Sequence, residues 1–287
     1  MNAQSRIITN PTVHHPTSTI KVLMYHRVVK EKRLSDRHWF CVHVDDFHRQ
    51  LELLERWGFV PITFNDYRLS LLGSLDLPRR AVVLTFDDGY RDTYDVVFPL
   101  LQEYKMRGVL FVLGEQKIKA NYWDQPLGLP QARLMNGEQI FEMHMNGFEV
   151  GAHSMTHVDL TKVSEDEAWQ EISRSRMLLE ILLNDEVCTF SYPYGMTNPR
   201  LKQMVLAAGF DLACCGEGGT SGLWKDPLEI HRIKIANTTG QVGFALRMLM
   251  PFEYITLMYS RGRSLFGNGS TDRKIRILES LQEDVNA

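Results

Sequence analysis

The 287-residue sequence predicts an α/β protein, specifically a distorted (β/α) barrel of about seven parallel strands. Short apolar runs recur along the chain, helical stretches separate them, and a glycine repeatedly stands where a helix gives way to the next run. Strands that alternate with helices pair in parallel. Six to eight such units suit a closed or nearly closed barrel, and a doubly wound open sheet is the competing fold.

Seven apolar runs are the predicted strands. Strands covered on both faces lack a polar alternation, so each appears as a short continuous apolar segment. In chain order these segments are residues 20–25, 81–86, 109–113, 148–152, 187–192, 210–215 and 230–235.

Start and stop signals define the helices between these strands. A glycine just past a helix can take the left-handed conformation that ends it. Ser164 and Glu167 predict a capping box before a helix that ends near Leu183, and Asn198 followed by Pro199 predicts another helix start. The predicted terminating glycines are Gly58, Gly108, Gly147 and Gly209.

Composition excludes several classes of function. The net charge of −3 and pI near 6.4 lack the basic excess typical of nucleic-acid binding. No run approaches the roughly 18 apolar residues of a membrane span. The four cysteines lack metal-like spacing, and the polar N-terminus lacks the apolar centre of a secretory signal. We therefore expect a cytoplasmic protein with reduced thiols.

Three segments are predicted: a flexible leader over residues 1–18, a barrel domain over 19–240, and a C-terminal helical segment over 241–287. Residues 244–259 are strongly apolar with few charges. A helix packed on the barrel is the favoured interpretation, and a weak contact with a membrane surface is the alternative.

Two adjacent acids follow the second predicted strand. Asp87 and Asp88 come directly after residues 81–86 and before Gly89. An Asp-Asp-Gly sequence alone can be only a turn. Its position favours chemistry, because catalytic groups are presented at the carboxyl ends of barrel strands.

Two histidines follow another predicted strand, residues 148–152. His153 and His157 are four residues apart, and on a turn of helix both rings would lie on one face and could share a metal. A single histidine there would more often be structural. Two imidazoles and a carboxylate leave one coordination position open, which is the arrangement of a catalytic metal site.

Two further strand ends carry candidate groups. Tyr192-Pro193-Tyr194-Gly195 is either a rigid turn or a source of a backbone N–H for an oxyanion and an aromatic wall for a sugar ring. His26 ends the first predicted strand. A lone histidine there is usually structural, but in a barrel it would point into the same mouth.

Together, Thr85-Phe86-Asp87-Asp88-Gly89, His153-Ser154-x-x-His157 and Tyr192-Pro193-Tyr194-Gly195 resemble the polysaccharide deacetylases of carbohydrate esterase family 4, over roughly residues 20–235. The resemblance implies a distorted barrel and a metal-dependent hydrolase that removes an N-acyl group, with acetyl expected, from an amino sugar. The sugar would belong to a polysaccharide or to a lipid- or nucleotide-linked precursor.

The resemblance also implies residue roles. Asp87 would be the general base, and the Tyr194 backbone N–H would be a donor to the oxyanion. Tyr192, Pro193 and Tyr194 would all contact the substrate. The metal ligands would be Asp88, His153 and His157, holding a divalent ion for which Zn²⁺ is the first expectation and Co²⁺, Ni²⁺ or Mn²⁺ are alternatives.

The sequence departs from the family pattern in two places. Ser191 stands where the family usually has an arginine that orients the base, and the late Leu-x-His sequence that supplies the general acid is missing. Val22-Leu23-Met24-Tyr25-His26 resembles that sequence as it occurs in circularly permuted members. His26 is therefore the expected acid and His231 the alternative, while Arg232 is a candidate replacement for the arginine. A catalytically impaired, glycan-binding relative is the competing function.

Overall fold

The computed structural model describes residues 20–125, 131–216 and 226–250. Short strands dominate the centre of the molecule, and most of their residues are buried. In chain order the strands are β1 (Lys21–Tyr25), β2 (Arg27–Val29), β3 (Cys41–His43), β4 (Val60–Ile62), β5 (Ala81–Phe86), β6 (Val109–Val112), β7 (Glu149–Ala152), β8 (Thr189–Ser191), β9 (Leu212–Cys214) and β10 (Ile233–Lys234).

Helices connect most of these strands, as the alternating pattern predicts. A π-helical turn over Thr93–Val97 leads directly into the α-helix that begins at Phe98, and a 3-10 turn covers Pro193–Gly195. The α-helices are α1 (Lys32–Arg37), α2 (Val44–Arg56), α3 (Phe64–Leu71), α4 (Phe98–Glu103), α5 (Gly137–Met145), α6 (Glu165–Leu183), α7 (Pro199–Ala207) and α8 (Gly240–Leu249).

The main sheet is a distorted barrel, which confirms the predicted fold class. Its order is β10-β1-β5-β6-β7-β8-β9, all pairs are parallel, and β4 pairs with the first half of β5. Ile230 forms a parallel bridge to Cys214 of β9, while Ile233 pairs with Leu23 of β1. The last segment thus contacts both outer strands and curls the sheet. A doubly wound sheet would instead reverse its order beside the first strand.

Alternating strand residues fall into two separate apolar clusters. In β5, Val82, Leu84 and Phe86 pack with the surrounding helices, whereas Ala81 and Val83 belong to the barrel interior. Successive side chains of a strand point to opposite faces. The residues that follow β5 continue this alternation, so Asp87 falls on the interior face.

The predicted helix ends are mostly confirmed. Gly58, Gly147 and Gly209 all have positive φ. The prediction for Gly108 is wrong, because the left-handed residue after α4 is Lys105, at φ 52°. The left-handed residue that ends this helix therefore lies three positions before the predicted Gly108, and it is a lysine and not a glycine.

Both predicted helix starts are confirmed, but the capping box at Ser164 is only half formed. Asn198 accepts a hydrogen bond from the Leu201 N–H at the start of α7. Ser164 accepts one from the Glu167 N–H before α6, which ends at Leu183 as expected. Only this half of the capping box is formed between the two residues.

The predicted leader, residues 1–18, lies outside the described residues, as does most of the C-terminal segment. Within that segment, α8 lies against α2 and buries Phe244 and Met248 in the core. No helix of the described part of the chain is both long and apolar enough to span a membrane.

Candidate active site

The carboxyl ends of the barrel strands bring the predicted site residues together. The alternation seen in β5 extends to its neighbours: Leu23 and Tyr25 of β1 face the helices, as do Val150 and Ala152 of β7. His26 and His153 therefore continue the interior faces of their strands. Residues that lie far apart in the sequence thus converge on one mouth.

Asp88, His153 and His157 form a compact buried cluster whose ligand atoms all lie within 4.8 Å of one another. The Asp88 Oδ1 atom is 3.1 Å from the His153 Nε2 atom and 3.2 Å from the His157 Nε2 atom. In a tetrahedral centre with bonds of about 2.0–2.2 Å, neighbouring ligand atoms lie roughly 3.3–3.6 Å apart. The three side chains therefore fit a divalent metal with only small shifts.

His153 has the outer-sphere support expected of a metal ligand. Its Nδ1 atom lies 2.8 Å from the Ser191 carbonyl oxygen at the end of β8. A hydrogen bond from Nδ1 to a carbonyl leaves the Nε2 lone pair available to a metal and fixes the orientation of the ring. In this way the backbone of β8 aims a ligand that follows β7.

The predicted helical turn around the two histidines is wrong. The segment is a loop in which Ser154 and His157 have φ values of 60° and 65°. Left-handed backbone at two non-glycine residues costs on the order of 1–3 kcal/mol each. The loop, and not a helix face, brings both rings to Asp88, which itself has a φ of 73°.

Glu171 of α6 holds this loop in place. Its Oε2 atom accepts hydrogen bonds of 2.9 Å from the N–H groups of Met155 and Thr156, and its Oε1 atom accepts one of 2.8 Å from the Thr156 hydroxyl. Hydrogen bonds to a charged acceptor contribute about 1.5–3 kcal/mol each. The three bonds can therefore offset the strain of the two left-handed residues.

His153 and Asp88 also shift each other's pKa. Burial would raise the pKa of Asp88, but hydrogen bonds from His153 and His157 hold that pKa well below its usual value. Burial lowers the pKa of His153, and its contacts with Asp88 and the Asp87 charge raise it overall. Asp88 is thus kept as a carboxylate, the form that binds cations.

The buried side chain of Arg232 binds Asp87, the acid that precedes Asp88. The Arg232 guanidinium donates hydrogen bonds of 2.7 Å and 2.6 Å to the two carboxylate oxygens of Asp87. It also donates to the hydroxyls of Thr85 and Ser191, at 3.0 Å and 3.1 Å. The structure therefore supplies from residue 232 the charge that is absent at position 191.

This contact keeps Asp87 ionised despite its burial. Burial would raise the pKa of Asp87, but the charge and hydrogen bonds of Arg232 lower it overall, with help from His153 and His26. A carboxylate in this state can accept a proton at neutral pH. Its two oxygens are held in a fixed plane by the guanidinium fork.

We expect the Arg232→Met variant to lose about 3–5 kcal/mol of unfolding free energy at neutral pH, because it leaves the Asp87 charge buried without a partner. The lowered pKa of Asp87 contributes stability above its unfolded pKa and loses it as pH falls through the folded one. The difference between variant and parent should therefore shrink in acid. Urea denaturation at several pH values measures it.

The matched control is the double variant Arg232→Met, Ser191→Arg. It places an arginine at position 191, where the polysaccharide deacetylases usually have one. The Ser191 hydroxyl lies 3.5 Å from an Asp87 carboxylate oxygen, so the new side chain starts beside the same acid. Partial recovery of stability is expected. An Arg232→Met variant as stable as the parent at neutral pH would contradict this account of the pair.

His26 lies beside the ion pair of Asp87 and Arg232. Tyr25 pairs with Phe86 between β1 and β5, so His26 and Asp87 are level on adjacent strands, whose backbones are about 4.8 Å apart. Burial lowers the pKa of His26, while the charges of Asp88 and Asp87 oppose that effect. Its ring contacts Trp39 edge-on, at 5.5 Å between centroids. The predicted acid is thus placed within the site.

His231 lies on the opposite face of its segment from Arg232. Its Nδ1 atom is 3.1 Å from the Gly216 carbonyl oxygen and 3.2 Å from the Cys215 sulfur, and its Nε2 atom is 3.5 Å from Glu229. These contacts occupy both ring nitrogens outside the barrel interior. Alternation along the strand thus brings Arg232 to the site and directs His231 away from it.

Two of the three residues expected to contact the sugar are unavailable. Tyr192 is fully buried, and its hydroxyl bonds to the Leu228 carbonyl oxygen, while Pro193 is also buried. The prediction of substrate contact through these two side chains is wrong, because residue 192 falls on the helix-facing side of its strand. Tyr194 is 53% exposed, and its ring lies 4.8 Å from that of His157.

Sequence reasoning missed two residues that support the metal cluster. Glu171 is one, and the only sequence signal for it was a position inside the predicted α6 helix. Trp123 is the other, since its ring stacks on His157 at 4.2 Å between centroids. The sequence has adjacent aromatic residues at positions 122 and 123, but nothing in it indicates that Trp123 lies against His157.

Comparison with known proteins is consistent with this geometry. Residues 74–213 match the polysaccharide deacetylase family. A Bacillus subtilis protein with a provisional polysaccharide deacetylase name is 22% identical over 217 residues, 76% of this chain and 71% of that protein. The poly-β-1,6-N-acetyl-D-glucosamine N-deacetylase of Escherichia coli is 23% identical, covering 94% of this chain but only 45% of that enzyme.

A solved structure has the same fold. A deacetylase from Streptococcus pyogenes superposes with a TM-score of 0.69 at 24% identity, covering 82% of this chain and 99% of that one. The family match includes the Asp87-Asp88 pair, the two histidines of the metal cluster and Ser191. Residues 74–213 of this chain therefore form a domain of the polysaccharide deacetylase family.

Proposed function

We propose that this protein is a metal-dependent hydrolase that removes N-acetyl groups from a polymer of N-acetylglucosamine. The observation that carries the proposal is the buried set of Asp88, His153 and His157 next to an Asp87 carboxylate held by Arg232. A pure sugar-binding site has no need of a metal set beside an oriented base. The polymeric substrate is supported by the printed activity of the Escherichia coli relative.

The residues divide the chemistry between them. Asp88, His153 and His157 would hold the cation, for which we propose Zn²⁺ because one carboxylate and two imidazoles suit a borderline-soft metal. When bound, the cation would supply Lewis acidity toward the amide carbonyl and the attacking water. Asp87 takes the proton that the water loses, and His26 gives a proton to the departing amine. Water and amide are thereby converted to acetate and a free amino sugar.

The competing function, a glycan-binding relative without activity, was motivated by the serine at position 191. Arg232 weakens that motivation, because from the position just before β10 it donates two hydrogen bonds to the Asp87 carboxylate. For the remaining departure, the missing late histidine, the replacement we propose is His26, which directly follows the neighbouring strand β1.

The proposal predicts acetate release that depends on metal. Purified protein should contain about one equivalent of a divalent metal and release acetate from β-1,6-linked oligomers of N-acetylglucosamine. Chelation should stop the release, and Zn²⁺ should restore it. Elemental analysis and an acetate assay measure both.

The His153→Ala, His157→Ala double variant is the control, and it should lack both metal and activity. Monomeric and β-1,4-linked N-acetylglucosamine in the same assay test the substrate class. Binding of oligomers without acetate release by the metal-loaded protein would favour the glycan-binding alternative. Undiminished metal in the folded double variant would contradict the ligand assignment.

A further inference from the structure

The two histidines of the metal cluster are anchored differently. His153 is held by its hydrogen bond to the Ser191 carbonyl oxygen. The His157 Nδ1 atom is buried and has no hydrogen-bond partner among the described residues. Metal-binding histidines almost always donate this second nitrogen to an outer partner that fixes the ring. Something else must therefore orient His157.

Aromatic rings surround the His157 imidazole in place of that partner. The Trp123 indole lies face to face with it, with ring centroids 4.2 Å apart and planes inclined by 19°. The Tyr194 ring meets it edge-on, at 4.8 Å and 70°. Stacking on one side and an edge on another restrict rotation of the imidazole about its Cβ–Cγ bond.

Trp123 is placed to support the ligand and not to bind sugar. Its side chain is only 8% exposed, whereas the neighbouring Tyr122 is 42% exposed. A ring buried to this extent has little face left for a sugar. The buried ring and the imidazole it covers therefore form one packed unit at the metal cluster.

The segment that carries Trp123 is itself fixed. The Tyr122 hydroxyl donates to the carbonyl oxygen of Thr156, the residue before His157. Asn121 donates to Asp124 and accepts from the Ala132 N–H, both at 2.5 Å. The loop that carries Trp123 thus contacts the loop that carries His157 in two ways, through the Tyr122 hydroxyl and through the stacked Trp123 ring.

We propose that Trp123 is a positioning residue that holds the His157 imidazole in its metal-binding orientation, in place of the usual hydrogen bond to Nδ1. The inference rests on the metal site of the proposed function. It assigns a role to the loop between β6 and α5, which the deacetylase chemistry does not otherwise use. Trp123 would act through His157 without touching the substrate.

Zn²⁺ affinity of the metal-free protein tests this role. Loss of an outer-sphere support typically weakens metal binding by about 10–100-fold, and we expect this for Trp123→Ala. Trp123→Phe keeps a flat ring and should bind within a few-fold of the parent. Trp169→Ala, on the outer surface of α6, is the matched control and should retain parental affinity. Thermal melting of each metal-free variant separates folding from binding.

Trp123→Leu keeps an apolar side chain in the same space, and it decides the case if Trp123→Ala does not fold. We expect the leucine variant to bind Zn²⁺ about 10–100-fold more weakly than the parent. Parental affinity in a folded alanine or leucine variant would overturn the role of the ring. A parent protein that binds no Zn²⁺ would overturn both this inference and the proposed function.

Quenching of tryptophan fluorescence by Co²⁺ gives an independent readout. A paramagnetic ion bound by His157 would lie next to the stacked indole, so Co²⁺ should quench part of the parental emission. The quenching should be clearly smaller in Trp123→Phe, where Trp39 beside His26 is left as a source of quenched emission, and it should persist in full in Trp169→Phe. Equal quenching in Trp123→Phe and in the parent would place the metal away from Trp123 and overturn the inference.

Discussion

Replacing Asp87 by asparagine is expected to lower kcat by about 10²–10⁴-fold, with KM and metal content close to parental values. An amide cannot accept the proton that the attacking water loses. Asp87 does not belong to the cluster of Asp88, His153 and His157, so the metal ligands are intact in this variant. Steady-state acetate release and elemental analysis of the same preparation measure both effects.

The neighbouring acid provides the matched control. Asp88→Asn removes a member of the metal cluster, so it should lower metal content and activity together, whereas Asp87→Asn should lower activity alone. Because the amide leaves the buried Arg232 charge without its partner, the variant should be assayed well below its unfolding temperature. An Asp87→Asn enzyme with near-parental kcat would show that another group is the base.

The sequence was sufficient to predict those site residues that directly follow an apolar strand. Asp87, Asp88 and His153 are in this class, and the parallel topology then guarantees that their strand ends meet. The barrel itself followed from the same alternation of strands and helices.

The partner of Asp87 could not be derived in this way. Arg232 lies 145 residues further along the chain, and its contact depends on the return of the last strand to the edge of β1. Its charge alone does not distinguish it from surface arginines. Once the strand register is known, the alternation of faces selects Arg232 over His231. The circular permutation suggested by the resemblance stays a prediction.

Two predictions were wrong for the same physical reason, which is that the backbone geometry just past the end of a strand decides where a side chain points. Tyr192 was expected to face the sugar, but the alternation of β8 turns it to the helices and leaves Ser191 in the interior. The loop of His153 and His157 was expected to be helical, but positive φ values bend it in a way that spacing alone does not indicate. Both depend on local backbone geometry at one or two residues.

The His26→Ala variant is expected to lose about 10²–10⁴-fold in kcat toward an N-acetyl sugar. The amine released by amide cleavage is a poor leaving group, so its nitrogen must receive a proton as the intermediate collapses. His26 is level with Asp87 on the adjacent strand, and the charges of Asp87 and Asp88 act on its pKa. In a pH–rate profile, the variant should lose the alkaline limb that a protonated acid produces.

His231→Ala is the matched control, because His231 is the other histidine near the end of the sheet. Its ring nitrogens lie beside Gly216, Cys215 and Glu229 on the opposite face of the strand. This variant should keep the bell-shaped profile and most of kcat. The opposite pattern, with activity lost in His231→Ala and kept in His26→Ala, would assign the acid to His231.

The leaving group separates a proton donor from a residue that only shapes the site. An aryl acetate expels a phenolate that needs no proton, so His26→Ala should retain far more of the parental rate on this ester than on the amide. Asp87→Asn should be impaired on both substrates, because both require an activated water. Equal losses on ester and amide in His26→Ala would mean that His26 supports the site without donating the proton.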